Sequence, residues 1–406
     1  MFYPSTTNMT TDQTEGFVLT IDPPSAAPSA GEPRILGMTV ALRLALTAQA
    51  AGARAIAVAE SPDMANLKRS LADARLAIRV IDELDRPSLL EFRAKRPSIR
   101  APANVVVHRS TFAVLREHAL RKEIAVLPSA ADPEIARAMT RAHGPHGFLP
   151  ITVEGAATAR TARRALLRSL RKPQDGWTST HLNRHISLFL TRWLVSTPLQ
   201  PNQVSVGILG VGLFGAWLAS RGTYEALLGG AFLFQAQSVL DGCDGEMSRL
   251  TFRGSRTGEW LDTVGDDLTN YGFFAGASWG LFSATGHVLY LALGALTVAC
   301  GLVGSGLEYR YLIRIGSGDL LKYPLGIGKS DEGPKASAIG RALDAVSPLF
   351  KRDTFVFLTL VGAALGWLGP FLVIFAAGAV GVVVAVIKAE LRMLRERQTA
   401  PPTAAG

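Results

Sequence analysis

Four aspartates in two pairs, set within apolar stretches long enough to cross a bilayer, constrain this chain more than anything else in it. The segment from Asp241 to Asp266 reads DGCDGEMSRLTFRGSRTGEWLDTVGD. Asp241 and Asp244 are three apart, and Asp262 and Asp266 four apart, so each pair shares one face of a helix. Carboxylates at membrane depth are costly and are kept mainly for function. Four of them facing one another repel unless a cation lies between them. The segment therefore predicts a divalent-metal site between two membrane helices. A hard oxygen set without His or Cys suits Mg2+ or Mn2+ rather than zinc.

The rest of the composition agrees with a membrane chain. Hydrophobic residues make up 48% of the 406 positions, with long apolar runs in the second half. Mean hydropathy is +0.22, high for a soluble protein. The formal net charge of +9 comes from basic residues standing beside apolar segments. That pattern reads as juxtamembrane charge, and no nucleic-acid partner is expected. Cys243 and Cys300 lie in apolar segments and form neither a disulfide framework nor a zinc motif. The opening MFYPSTTNMTTDQTEG is polar and lacks the apolar core of a signal peptide.

Five regions are expected along the chain. Residues 1–30 read as a flexible N-terminal segment. Residues 31–170 read as an α/β domain with a mostly parallel sheet. Its expected helices are 37–51, 110–122 and 132–142, and its expected strands are RAIAVAE (54–60), NVVVH (104–108) and EIAVL (123–127). Residues 171–200 form a linker and an amphipathic helix, Asn183 to Leu194, of the kind that lies in the headgroup layer. A basic amphipathic helix, 157–171, precedes it. Residues 201–395 form an all-α polytopic domain of six transmembrane helices, near 203–220, 223–248, 259–284, 286–309, 354–369 and 371–389. Residues 396–406 read as a disordered tail, and 336–350 as a further surface helix. Lys and Arg crowd alternate loops, so both termini are expected on the cytoplasmic side of a multi-pass protein.

Other residues extend the acidic constellation. Gly245 and Gly258 remove side chains beside the acids, which permits close approach of a helix or a ligand. Arg249, one turn beyond Asp244, suits a phosphate oxygen. Ser255 adds a hydrogen-bonding group in the following loop. Acids for a metal with Arg for a phosphate point to phosphoryl-type transfer from a metal-bound pyrophosphate. Asp267, Glu246 and Glu259 read as supporting or structural.

The spacing resembles the signature of the CDP-alcohol phosphotransferases, D-x2-D-G-x2-A-R-x8-G-x3-D-x3-D. It is carried here by Asp241, Asp244, Gly245, Arg249, Gly258, Asp262 and Asp266, with Ser248 where the family usually has Ala. The resemblance implies an integral membrane enzyme of a bacterial or archaeal cell membrane. It would transfer a phospho-alcohol from a CDP-linked donor, of the CDP-diacylglycerol or CDP-inositol class, to a polar alcohol, releasing CMP. By motif position, Asp241, Asp244 and Asp262 hold metal and donor pyrophosphate. Asp266 is the base, its own metal contact left open, and Gly245, Arg249 and Ser255 touch the CDP part. The PNQVS segment resembles the family's entry to its first helix, which adds Asn202 and Ser205 to the donor-site candidates. The resemblance also allows a homodimer.

The run from LLRSLRKPQDGW through NRHIS resembles the linker that joins a cytidylyltransferase-like domain to such a module, as in di-inositol-phosphate phosphate synthases. Inositol phosphate is then the first acceptor to expect, and glycerol phosphate or another alcohol the second. Arg310, Arg314, Lys351 and Arg352 are candidate cations for an anionic acceptor. The front domain reads as non-catalytic. The resemblance implies a cytoplasmic nucleotidyltransferase-like fold for it, yet the place where such a domain has a basic Gly-rich loop reads FVLTIDPPSAAPSAGEPRI, and NVVVHRS offers His108 and Arg109 where an acid would be needed. LGIGKS (325–330) is an incomplete P-loop, and the small residues of GILGVGLFG (207–215) read as helix packing. The rival class, a cation transporter or membrane scaffold, has no need of Gly245 or a phosphate-binding Arg249.

Overall fold

The computed structural model describes residues 16–24, 33–93, 96–122, 124–127, 133–171, 175–324 and 352–399. The chain divides into two compact units. One comprises Met1–Pro173, Arg192–Pro198 and Met247–Arg253; the other comprises Gln174–Thr191, Leu199–Glu246 and Gly254–Gly406.

The first unit is built on a sheet. Its elements are β1 (Phe17–Asp22), β2 (Arg34–Ile35), β3 (Met38–Thr39), α1 (Val40–Ala50), β4 (Ala53–Val58), α2 (Met64–Leu71), β5 (Arg79–Asp82), α3 (Arg86–Arg93), β6 (Ser98–Pro102), β7 (Val105–Val106), α4 (Arg109–Lys122), β8 (Ile124–Val126), α5 (Pro133–His143), β9 (Ile151–Thr152) and α6 (Ala156–Arg168). Five parallel strands run in the order β5-β4-β1-β6-β8. In β1, Phe17, Val18, Leu19 and Ile21 are fully buried, as a strand covered on both faces requires. Thr39 caps α1 by accepting from the Leu42 amide at 3.3 Å. His108 and His143 meet edge to face at 5.0 Å. Burial, and then the neighbouring His108, push the His143 imidazole down to about 4.

Several expectations are corrected here. The flexible segment over 1–30 contains β1, the central strand of the sheet. NVVVH is not a strand of that sheet. Only Val105 and Val106 are extended, and they pair antiparallel with β9. The neighbour of β1 is instead β6, SIRAP, whose Ser, Arg and Pro mask its strand character in sequence. β5, RVID, was likewise not foreseen, being a four-residue edge strand with charged ends. Residues 1–15 and 25–32 lie outside the described residues.

The second unit is helical. A π-helical turn, Ser179–Asn183, runs into α7 (Arg184–Leu194), followed by α8 (Pro201–Ala219), α9 (Tyr224–Thr251), α10 (Arg256–Thr285), α11 (Leu289–Ile315), α12 (Arg352–Ala364) and α13 (Leu368–Thr399). The last residues of α7 and α9 fall in the first unit. Helices occupy all six positions expected for spans. Among the described residues, Pro201–Ala219, Leu289–Ile315 and Leu368–Arg395 are long and apolar enough to cross a membrane. The sequence explains the other three: α9 and α10 carry the motif charges, and α12 has 13 residues. α13 continues to Thr399, so the tail expected from 396 begins too early. The expected helix 336–350, LGIGKS and Lys351 lie outside the described residues.

Aromatic stacking and small residues close the bundle. Phe234 of α9 stacks on Phe273 of α10 at 4.4 Å between centroids. In GILGVGLFG, a Cβ on Gly215 would lie 3.0 Å from the Gly230 carbonyl oxygen, so the packing reading holds. α7 is amphipathic as expected, but its polar stripe faces inward. Arg184, Ser187 and Thr191 are buried, while Ile186, Phe189 and Trp193 are exposed.

Candidate active site

α9 carries Asp241 and Asp244, and α10 carries Asp262 and Asp266. α10 starts where it does because Ser255 caps it, Oγ accepting from the Gly258 amide at 3.0 Å. A Cβ on Gly258 would come within 2.8 Å of Asn202 Oδ1. That glycine therefore lets the start of α8 reach the motif. Ser205, also on α8, donates to Asp244 Oδ2, and the Gly245 amide donates to Asp244 Oδ1 at 2.5 Å. Asn202, Ser205, Asp244, Ser255 and Gly258 thus lie along the contact of α8 with the motif helices. Arg249 stands on the last turn of α9, within the Met247–Arg253 segment of the sheet unit.

Asp241 and Asp266 are drawn together by a residue far away in sequence. Arg352, at the start of α12, places Nη1 3.3 Å from Asp241 Oδ2 and Nη2 2.8 Å from Asp266 Oδ1. The same Nη2 donates to Gln237 Oε1 at 2.9 Å, and Gln237 Nε2 reaches Asp266 at 3.4 Å. Of the four cations considered for an anionic acceptor, Arg352 is the one found against motif acids. Arg310 is paired with Glu390 at 2.6 Å, Arg314 is exposed, and Lys351 lies outside the described residues.

A cavity of about 270 Å³ opens beside this group, lined by Asp241, Asp266, Arg352, Asp353, Arg184 and Ser179 among others. Its far wall comes from the linker and α7. Asp353 accepts from the Ser179 amide at 2.7 Å. Arg184 bridges Asp175 and Glu246, each at 2.8 Å. Glu246, wholly buried, also accepts from Ser187 Oγ at 2.8 Å and Thr191 Oγ1 at 2.7 Å. Sequence reasoning missed this wall. Its only signal was the polar stripe of α7, which looked like the water-facing side of an interfacial helix.

Two acids beside the motif, Asp267 and Glu259, are engaged elsewhere. Asp267 accepts from Ser305 at 2.5 Å and Tyr309 at 2.6 Å on α11, and Glu259 from the Gly318 amide at 3.2 Å. Among the described residues, no three His, Cys, Asp or Glu side chains form a ready-made metal cage. The donor chemistry nonetheless fits a hard cation: two motif carboxylates already flank one positive charge, that of Arg352.

No family model matches the chain. A bifunctional IPC transferase and DIPP synthase of Aquifex aeolicus is 27% identical over 231 residues, 57% of this chain and 48% of that protein. The corresponding protein of Rubrobacter xylanophilus is 42% identical over 117 residues, 28% of this chain and 26% of that one. The chain thus spans about half the length of the Aquifex protein, and less of the other. Among solved structures, the Mycobacterium tuberculosis phosphatidylinositol phosphate synthase with CDP-DAG bound matches with a TM-score of 0.37 and 19% identity, over 55% of this chain and 98% of that one. The resemblance carried by the aspartate spacing is borne out by sequence: this chain is similar to bifunctional IPC transferase and DIPP synthases.

Proposed function

We propose that this chain is a multi-pass membrane phosphotransferase that moves a phospho-alcohol from a CDP-alcohol to an acceptor hydroxyl and releases CMP. The carrying observation is the pairing of Asp241 and Asp266 across Arg352, at a cavity beside the spaced motif. Asp266 takes the proton of the acceptor hydroxyl. Asp241, Asp244 and Asp262 would hold Mg2+ or Mn2+, with Asp266 a further candidate ligand. When bound, the ion supplies positive charge to the donor pyrophosphate. Gly245 lets the donor approach the backbone, Arg249 takes a phosphate oxygen, and Ser255, Asn202 and Ser205 complete the CDP side. Arg352 supplies positive charge beside the base, which favours an anionic alcohol. With the similarity to DIPP synthases, this supports an inositol phosphate acceptor and a CDP-inositol or CDP-diacylglycerol donor.

α8 to α13 are the six spans in this reading, both termini are cytoplasmic, and α7 lies at the membrane surface. The test uses purified protein in detergent with Mg2+, labelled CDP-inositol or CDP-diacylglycerol, and a panel of acceptors. CMP release with an inositol phosphate is expected. Folded protein that releases none with any pair would favour the scaffold reading.

The sheet unit is read as non-catalytic. Arg100 of β6 binds both Asp22, at the end of β1, and Glu83, at 3.0 Å. Two acids at the carboxyl edge of the sheet, where such folds take ligands, are thereby occupied. Supplied with CTP and inositol phosphate, the full chain is expected to release no pyrophosphate. Sustained CTP-dependent release would overturn this.

A further inference from the structure

The last carbonyls of a helix have no intrahelical donor. At the end of α9 these groups are met within the sheet unit. The Arg253 amide returns to Ser248 O at 3.1 Å. Arg43 Nη1 donates to Leu250 O at 3.0 Å, and Arg75 Nη1 to Thr251 O at 2.9 Å. Cations at a helix C-terminus are also favoured by its dipole. Arg43 is only 2% exposed, and its Nη2 is spent on Ile35 O at 3.1 Å. Burial, and then the nearby Arg75, lower the Arg43 guanidinium to about 10, so it stays charged at neutral pH. Arg75 is fixed in turn by Asp73 at 2.6 Å.

A second observation is independent of these bonds. Phe252, the first residue past the helix, has φ +55°. That left-handed conformation is costly for a bulky side chain and persists only where its surroundings impose it. The ring packs against the cluster of Met38, Leu42 and Leu46. Glycine usually ends a helix in this way. Here a half-buried aromatic ring stands in that place instead.

We propose that the sheet unit is a brace for the last turn of α9, with Arg43, Arg75 and Phe252 as positioning residues for Arg249. This rests on reading Arg249 as a ligand of the donor phosphates. It gives a unit without cytidylyl chemistry a place in the reaction. Misplacing a binding group by about 1 Å can cost on the order of 100-fold.

The test uses the full chain in detergent, with CDP and Mg2+ as probe, since CDP is common to every donor considered. Arg75→Ala removes one cap and leaves Arg43 and Phe252, so the protein is expected to fold and melt close to wild type. Amides 247–253 should exchange hydrogen faster, and the Kd for CDP should rise about tenfold, the effect of one charge-assisted hydrogen bond. Arg75→Lys, which keeps a cationic donor, should restore most of both. Unchanged exchange at 247–253 overturns the brace. Faster exchange with unchanged CDP affinity overturns the positioning role, provided Arg249→Ala weakens CDP. If Arg249→Ala leaves CDP binding intact, the Arg249 reading fails instead, and exchange alone decides the brace.

Discussion

Asp266→Asn is expected to stop transfer while the CDP-alcohol still binds. Asn keeps the shape and can still accept from Arg352 and Gln237, which touch Asp266 at 2.8 and 3.4 Å. What it loses is the ability to take a proton. A positioned general base contributes about 10²- to 10⁴-fold, so kcat should fall by roughly 10³. Donor affinity, measured by calorimetry on the same preparation, should change little. Normal turnover in the variant would remove Asp266 from the role of base. Loss of donor binding together with turnover would make it a metal ligand first. Asp241→Asn offers the contrast, because Asp241 shares Arg352 but is assigned to the metal; there donor affinity should fall as well.

Glu246→Leu is expected to have the largest effect on stability. The carboxylate is wholly buried and takes three bonds, from Arg184, Ser187 and Thr191. Removing it leaves a buried guanidinium short of a partner and two buried hydroxyls without their acceptor. Breaking a buried pair from one side costs about 3–5 kcal/mol. Thermal unfolding in detergent should show a large drop, or the variant should fail to accumulate. Glu246→Gln keeps the volume and an acceptor oxygen, so it should fall between the two. A Leu variant that melts with wild type would mean that α7 is held by something other than this cluster.

The parts legible in sequence were those set by local spacing. The four acids, Gly258 and the glycines of α8 lie at intervals that a helix converts directly into a face. Arg352 was visible only as one cation among several. Its contact with Asp241 spans 111 residues, and no periodicity reports on that. Glu246 was placed within the motif, yet its partner Arg184 is 62 residues away. The sheet failed in both directions for one reason: strand pairing is not a local property. NVVVH is apolar enough for a central strand, but it follows β6 by two residues and the chain has already left the sheet there. SIRAP is polar enough to overlook, yet it lies between β1 and β8.

The inverted α7 has a consequence of its own. A helix lying in the headgroup layer is ordinarily free to roll about its axis and to ride higher or lower with the lipid. This one is keyed. A shift of one residue turns it by about 100°, which would take Ser187 and Thr191 away from Glu246 and bring bulky apolar side chains towards it. Only one rotational setting satisfies both the carboxylate inside and the aromatic face outside. The setting of α7 is thereby gauged against Gly242, where an added Cβ would meet Ser187 Oγ at 3.1 Å, one residue from Asp241.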